Sequence, residues 1–429
     1  MTEAVTIRGV SIGTGRPKIC VPITASSREA ICRKAGELSG LPFDLVEWRA
    51  DWYEGVKEQG QAAEVLKDLR NILGDVPILF TFRSKTEGGE RELDIADYLD
   101  LNRQAAASGC ADLVDLELMT GLEAGEDCLR DTISFIKAQG AKVLMSSHDF
   151  DKTPFNEELI RRLFEMDRLG ADILKEAVMP QDRADVLRLL TVTEQVSRQI
   201  SRPLVTMAMG GLGVVSRLTG EAFGSAITFG SAGVSSAPGQ IDVQTLNEVL
   251  HTVHTGMVPK TARIFLIGFM GTGKTTVASI LSQNLSSPLI EMDQRIERES
   301  SMKISDIFEK YGEEYFRDLE TELIRTLSEE KPAVISCGGG AVLRKENVEM
   351  MRKAGTIVLL TASPETVLKR VWGDNSRPNL KGRMTIEGIQ ELMDKRRRVY
   401  EEAAELVIET DEKKPEGIAD EILGRLGRK

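Results

Sequence analysis

The chain has 429 residues, long for a single domain at ~100–200 residues each, so two or three domains are expected. Hydrophobic residues at 41% and charged residues at 28% describe an ordinary globular protein, and 5% aromatics leave little stacking surface for single-stranded nucleic acid. The formal net charge of −12, from 55 Lys and Arg against 67 Asp and Glu, argues against generic duplex or membrane-surface binding; anionic substrates need local basic pockets.

The first residues, MTEAVTIRGV, lack the basic flank and apolar run of a signal peptide, and stretches such as Ile264 to Gly268 are too short to span a bilayer. Five cysteines without CxxC spacing read as reduced thiols with no zinc site, so a cytoplasmic location is expected.

From Lys18 to Gly230 one theme repeats: a short β-branched run, a polar turn, then a helical pattern. The predicted strands are Ile19–Ile23, Phe43–Trp48, Ile78–Phe82, Leu113–Leu118, Lys142–Ser146, Asp172–Ala177, Leu204–Ala208 and Ala226–Phe229. Amphipathic stretches at Ala62–Leu73, Ile95–Ala107 and Glu158–Leu169 separate some of them. Eight strands alternating with helices fit an α/β fold, a (β/α)8 TIM barrel, better than an open sheet of eight parallel strands. A last helix, Val243 to His254, completes the barrel, and residues 256–262 read as a linker.

Lysine chemistry is the first candidate function. A nucleophilic amine must be uncharged, which burial or neighbouring cations can achieve. Lys175 lies in Asp172-Ile-Leu-Lys-Glu-Ala-Val-Met-Pro180, an otherwise apolar strand that solvates an ammonium poorly. An ion pair with Glu176 is the structural alternative, disfavoured because adjacent strand residues face opposite ways. His148 follows the fifth strand in Ser146-Ser-His-Asp-Phe150, at the barrel end where catalytic groups collect. Other strand ends carry Glu47-Trp48-Arg49, Arg83 and Glu87, Arg217, and Ser236 with Gln240; Asp115 and Glu117 lie in the fourth strand.

The run EWRADW, FTFRSKTEGGE, DLVDLEL, SSHDF, ADILKEAVMP, SRLTGEAFGS and SSAPGQI resembles type I 3-dehydroquinate dehydratases over roughly residues 18 to 245. The resemblance implies that Lys175 forms an imine with the substrate ketone and that His148, oriented by Glu87, moves the protons. No other cofactor is implied. It further implies that Glu47, Trp48, Arg49, Arg83, Arg217, Ser236 and Gln240 bind 3-dehydroquinate. Barrel relatives are often dimers, so a homodimer through the barrel is expected. Glu176 departs from the apolar residue usual after the lysine and should face the outer helices.

A second α/β unit opens at Arg263, giving domains at 1–255 and 263–429. Gly268-Phe-Met-Gly271-Thr272-Gly273-Lys274-Thr275 matches G-x-x-x-x-G-K-[ST], between the strand Ile264–Ile267 and a helix from Lys274 to Leu285. Such a loop turns backbone N–H groups toward phosphates at a helix N-terminus. Lys274 can reach the β- and γ-phosphates of ATP, and Thr275 can ligate Mg2+.

GFMGTGKTT, MDQRIE, IFEKYGEEYFRDLE, SCGGGAV, an Arg-Pro at Arg377 and DKRRRVY occur in the order found in shikimate kinases, which this P-loop kinase domain resembles throughout. The resemblance implies that Asp293 receives the hydrogen bond of the attacking hydroxyl. Arg317 and Arg396 would hold the carboxylate of shikimate, with Gly339 close beside it; a solvated charge run is the less favoured alternative for Arg396. Gly271, Thr272, Gly273, Lys274, Thr275, Thr276, Arg370 and Arg377 would bind ATP. Glu291-Met-Asp293 stands where the family usually has Asp-x-Asp, which bears on the Mg2+ shell.

Together the resemblances imply a bifunctional enzyme of aromatic-compound biosynthesis. The dehydratase product, 3-dehydroshikimate, must be reduced before the kinase can use it, so transient contact with a separate shikimate dehydrogenase is expected. Two other readings remain open: a non-catalytic metabolite sensor, and a Schiff-base aldolase joined to a different small-molecule kinase.

Overall fold

A computed structural model describes residues 2–233, 239–257, 263–372 and 385–427. The chain divides into two compact units, Met1–His254 and Thr255–Lys429. Residues 258–262 of the expected linker lie outside the described residues.

The first unit begins with an antiparallel hairpin of β1 (Val5–Ile7) and β2 (Val10–Ile12). It then runs through β3 (Lys18–Ile23), β4 (Leu45–Arg49), β5 (Ile78–Thr81), β6 (Leu113–Glu117), β7 (Lys142–Asp149), β8 (Ile173–Val178), β9 (Leu204–Ala208) and β10 (Ile227–Ser231). Strands β3 to β9 pair in parallel in chain order, and β10 pairs back with β3. A parallel bridge between Leu204 and Ser225, with the Ala226 N–H donating to the Leu204 carbonyl at 2.7 Å, joins β9 to the approach to β10. This is the expected TIM barrel. A short β11 (Ile241–Asp242) adds to β10.

Strand alternation divides the barrel's contents into layers. Leu45, Leu79, Leu113, Leu144, Ile173, Val205 and Ile227 form one buried cluster at the N-terminal ends, sealed by Val5, Ile7 and Ile12 of the hairpin. Two residues further along, on the same face, stand Glu47, Thr81, Asp115, Ser146 and Lys175. The barrel is therefore greasy at one end and ionisable at the other. Between the inward positions, Val46, Trp48, Phe80, Val114, Met145 and Leu174 face outward into the main core. The helices meet them with apolar faces: Gln61–Leu73 buries Ala62, Val65, Leu66 and Leu69, and Asn156–Leu169 buries Leu159, Leu163, Met166 and Leu169. Each large aliphatic side chain so covered contributes about 1.5–3 kcal/mol.

In the second unit β12 (Ile264–Ile267), β13 (Leu289–Glu291), β14 (Val334–Ser336), β15 (Thr356–Thr361) and β16 (Leu406–Glu409) form a parallel sheet in the order β13-β14-β12-β15-β16. Alternate residues of β12 feed separate cores: Phe265 and Ile267 on one face, Ile264 and Leu266 on the other. Helices cover both faces, as an all-parallel sheet requires. The helix Ile304–Glu329 is broken at Gly312, whose φ of 81° and ψ of 175° are not helical. Among the described residues no helix is long and apolar enough to cross a membrane.

Candidate active sites

In the barrel, ladder pairing places Ser146 beside Lys175 and His148 beside Ala177, so Lys175 and His148 face the same interior from neighbouring strands. The amine of Lys175 lies 3.7 Å from Asp115 Oδ2, 3.9 Å from Glu47 Oε1 and 4.6 Å from the centre of the Phe229 ring. Two carboxylates and one aromatic ring thus surround the amine, in keeping with the acidic residues predicted in and after these strands. Glu176 takes no part in it. As strand alternation requires, it points to the outer layer and accepts from Arg162 Nη1 at 3.1 Å.

His148 Nδ1 and its backbone N–H both engage Glu87 Oε2, at 2.8 and 3.1 Å. Burial holds the imidazole pKa well below its usual value, and the nearby cations Arg83, Lys175 and Arg49 push the same way. Burial also raises the Glu87 carboxyl, with Glu117 adding and Arg83 opposing. Burial therefore favours the neutral ring, which Glu87 orients through Nδ1.

Arg83 lies at the centre of the acidic floor. Its Nη2 donates to Asp115 Oδ2 at 2.6 Å, and its Nη1 to Glu117 Oε1 at 3.0 Å, Ser146 Oγ at 2.9 Å and Glu87 Oε2 at 3.4 Å. Burial works against this cation, but the carboxylates outweigh it and raise its pKa. Arg49 is held in a two-point pair by Asp51, at 2.8 Å through both Nε and Nη2. Arg217, buried on the helix Val214–Phe223, has its pKa lowered to about 10 by burial and remains a cation at neutral pH. Its Nη1 lies 3.7 Å from the sulfur of inward-facing Met207. Gln240 follows Gly239, whose close backbone approach to Gly210 in the loop after β9 puts this segment at the same rim. Ser236 lies outside the described residues.

Lys175, His148, Glu87, Glu47, Arg49, Arg83 and Arg217 therefore converge at the C-terminal end of the barrel. The structure does not bring Trp48 to them. Trp48 alternates with Glu47 and Arg49, is fully buried on the opposite face, and packs edge-on against Phe80 at 5.5 Å. Its place is in the outer core, which corrects the binding role expected of it. Asp51, Phe229 and Met207 were not among the expected site residues. Phe229 and Met207 could have been found by counting in twos from Ile227 and Val205, but Asp51 follows its strand and carried no such signal.

In the second unit the glycine loop runs from β12 into the helix Lys274–Asn284. Gly268, Gly271 and Gly273 have φ of 145°, 79° and 95°, the region that favours glycine. A Cβ on Gly268 would also collide with the Leu360 carbonyl oxygen. Lys274 Nζ donates to the carbonyls of Gly268 and Phe269 at 2.8 and 3.0 Å, and the Thr272 hydroxyl donates to Phe269 O at 2.8 Å. Thr275 and Thr276 sit in the first turn of the helix. Arg370 Nη1 reaches the Gly271 carbonyl at 3.4 Å, at the same loop. Arg377 lies outside the described residues.

The other candidate residues gather around the Gly338-Gly339-Gly340 turn. A Cβ on Gly338 would meet Asp293 Oδ1 at 2.8 Å and Glu320 Oε1 at 2.7 Å, and one on Gly340 would overlap Arg317 Nη1. Arg396 Nη1 and the Tyr400 hydroxyl both donate to the Gly339 carbonyl, at 3.2 and 2.6 Å. Neighbouring Lys395, Arg397 and Arg398 pair with Glu391, Asp394 and Glu402 at the surface, so Arg396 alone of the run turns inward. Thr275 Oγ1 donates to Glu291 Oε2 at 3.3 Å. Glu291 Oε1 is buried without a hydrogen-bond partner. Burial raises this carboxyl, while bonds from Ser336 and Thr275 lower it. A hydroxyl and a carboxylate with a spare oxygen suit a hard cation, so the residues present fit Mg2+.

A TIM barrel with an amine and a neutral imidazole at its strand ends, joined to a glycine-cradled parallel sheet, defines a lyase barrel fused to a P-loop phosphotransferase. Comparison with known proteins narrows both halves. The family model for type I 3-dehydroquinase matches residues 19–257, and that for shikimate kinase matches residues 270–427. The 3-dehydroquinate dehydratase of Clostridioides difficile (strain 630) is 45% identical over 255 residues, covering 59% of this chain and 98% of its own. A crystal structure of type I 3-dehydroquinate dehydratase from Clostridium difficile, with covalently modified comenic acid, matches at TM-score 0.57 and 44% identity, covering 60% of this chain and all of the other. Shikimate kinase from Acinetobacter baumannii, solved with shikimate, is 34% identical, covering 39% of this chain and 97% of its own, at TM-score 0.37. The chain belongs to the type I 3-dehydroquinase family and carries a shikimate kinase domain following the barrel in sequence.

Proposed function

We propose that the chain is a bifunctional enzyme of the shikimate pathway, a dehydratase within residues 1–255 and a kinase within 263–429, joined through 256–262. The observation that carries the first activity is the Glu87-held imidazole of His148 facing the same chamber as the Lys175 amine, with burial favouring its neutral form. Lys175 attacks the ketone of 3-dehydroquinate, water leaves, and the resulting imine withdraws electrons from the neighbouring carbon. His148 Nε2 removes the proton there and returns one to the departing hydroxyl; hydrolysis then frees 3-dehydroshikimate and the lysine. Arg217 supplies a desolvated cation for the substrate carboxylate, and Glu47, Arg49, Arg83, Ser236 and Gln240 contact the hydroxyls and carboxylate.

In the kinase the loop 268–275 holds the phosphates of ATP, with Lys274 turning from its loop carbonyls to the phosphate oxygens. Thr275 and Glu291 would hold Mg2+, which supplies charge neutralisation on the phosphates when bound. Arg317, Arg396 and Gly339 bind shikimate, and Asp293 accepts the proton of its attacking hydroxyl. Arg377 contacts the ATP phosphates, and Arg370 lies near the nucleotide.

The five free cysteines fit a cytoplasmic setting. A homodimer through the barrel and transient contact with a separate shikimate dehydrogenase complete the proposal, the latter because a ketone must be reduced between the two steps. Borohydride reduction in the presence of 3-dehydroquinate tests the first activity. It should leave a stable adduct on Lys175, and an unmodified Lys175 in an active enzyme would remove the imine. Carbon–carbon cleavage without enone absorbance would favour an aldolase instead.

A further inference from the structure

The sheet that holds Lys175 and His148 on its inner face holds a second polar group on its outer face. Ser147 and Glu176, the sequence neighbours of His148 and Lys175, lie opposite one another in the β7–β8 ladder. Both are buried. Arg162, on the helix Asn156–Leu169, donates from one nitrogen, Nη1, to Ser147 Oγ and to Glu176 Oε1, each at 3.1 Å, and Ser147 Oγ lies 3.4 Å from the same carboxylate oxygen. Glu158 holds the guanidinium from behind, accepting from Nε at 2.8 Å. The polar group thus ties one helix to both strands at the point where their inner faces carry the reacting pair.

Stability alone is a poor account of this arrangement. Buried ion pairs often cost as much in desolvation as they return, and apolar residues of similar size commonly replace them without loss. Glu176 Oε2 is buried without a hydrogen-bond partner, and burial raises the carboxyl to about 8 against the opposing pull of Arg162 and Ser147. What the group supplies that an apolar contact lacks is direction: charge-assisted hydrogen bonds fix where β7 stands relative to β8.

We infer that Arg162, Glu176 and Ser147 are positioning residues for the dehydration step, an outer clamp that sets the spacing between the Lys175 amine and the His148 imidazole through the backbone of β7 and β8. The inference rests on the reading of Lys175 and His148 as the reacting pair. It needs only small displacements, since an error of about 1 Å in a reacting geometry can cost ~100-fold in rate.

The full-length protein tests it through Glu176→Gln, Glu176→Leu, Ser147→Ala, and the paired Glu176→Leu/Arg162→Met, each assayed for kcat, KM, borohydride-trappable adduct and thermal unfolding. Gln keeps an oxygen for Arg162 and should retain at least about half of kcat. Leu should lower kcat and the rate of adduct formation ~10-fold or more with KM within about 2-fold, and Ser147→Ala should follow in the same direction. The paired apolar variant should regain the unfolding temperature without regaining kcat. Recovery of kcat together with stability in that variant would overturn the clamp, as would wild-type kcat in Glu176→Leu. A wild-type enzyme that gives no adduct at Lys175 would overturn the imine reading and the clamp with it. A normal wild-type adduct with indifferent variants sinks the clamp alone.

Discussion

His148 shows how burial and nearby cations set a pH response, while Glu87 fixes the ring's orientation. Burial and three nearby cations depress the imidazole, so the neutral form persists below its ordinary value near 6.5. The acid limb of kcat/KM for dehydration should then fall below that value, and a limb at or above it would contradict a neutral base. His148→Ala should cost ~100-fold or more in kcat while leaving the Lys175 adduct detectable, because proton transfer is worth ~100- to 10,000-fold and imine formation has its own nucleophile. At the other site, Gly268→Ala should abolish phosphoryl transfer, since its Cβ would collide with the Leu360 carbonyl oxygen and its φ is 145°; nucleotide-dependent stabilisation should disappear with the activity. Most of these residues were legible because they sit in motifs whose chemistry names them. Trp48 shows the limit: the string EWR carries two inward residues and one outward, and only strand alternation tells them apart. Asp51 was silent for a different reason, being fixed by its pairing with Arg49 across a short turn.

Elements were read well wherever periodicity ran long enough. The helix Ile95–Ala107 falls where its apolar spacing places it, and the strands differ by only a few residues, most at β7, which extends to Asp149 because it stays paired with β8 through Val178. The hairpin β1–β2 escaped notice since three-residue strands hold less than two full alternations. Its Arg8-Gly9 turn, with φ of 45° and 78°, is of the kind that closes tight hairpins. The partner of Glu176 was equally invisible, because helix and strand meet only in three dimensions. That partner has a thermodynamic consequence. A carboxyl at about 8 in the folded barrel and near 4.5 when unfolded binds more protons folded than unfolded between those values. Its contribution to stability is therefore present at low pH and is lost as pH rises through that window. Relative to Glu176→Gln, the wild type should lose a few kcal/mol of unfolding free energy between about pH 5 and about pH 8, at ~1.4 kcal/mol for each step of one in pH. Denaturant unfolding at the two pH values measures this, and a constant difference would show that Glu176 stays ionised when folded.

At the scale of the whole molecule, each unit has its own core and its own site. Among the described residues, the barrel clusters draw on the first unit and the two faces of the second sheet draw on the second. Nothing in the chemistry requires one site to wait for the other: the dehydratase releases a ketone, whereas the kinase accepts a hydroxyl in its place. The two activities should therefore separate by substitution. Lys175→Ala removes the amine of the barrel chamber and should reduce dehydration ~1,000-fold or more, with phosphorylation of shikimate unchanged within about 2-fold. Lys274→Ala withdraws the cation proposed to hold the phosphates and should reduce phosphoryl transfer ~100-fold or more, with dehydration unchanged to the same degree. Steady-state assays of both reactions on both variants decide the matter. If either substitution lowered both rates in proportion while the protein stayed folded, the units would be coupled and the independence of their two chemistries would be lost.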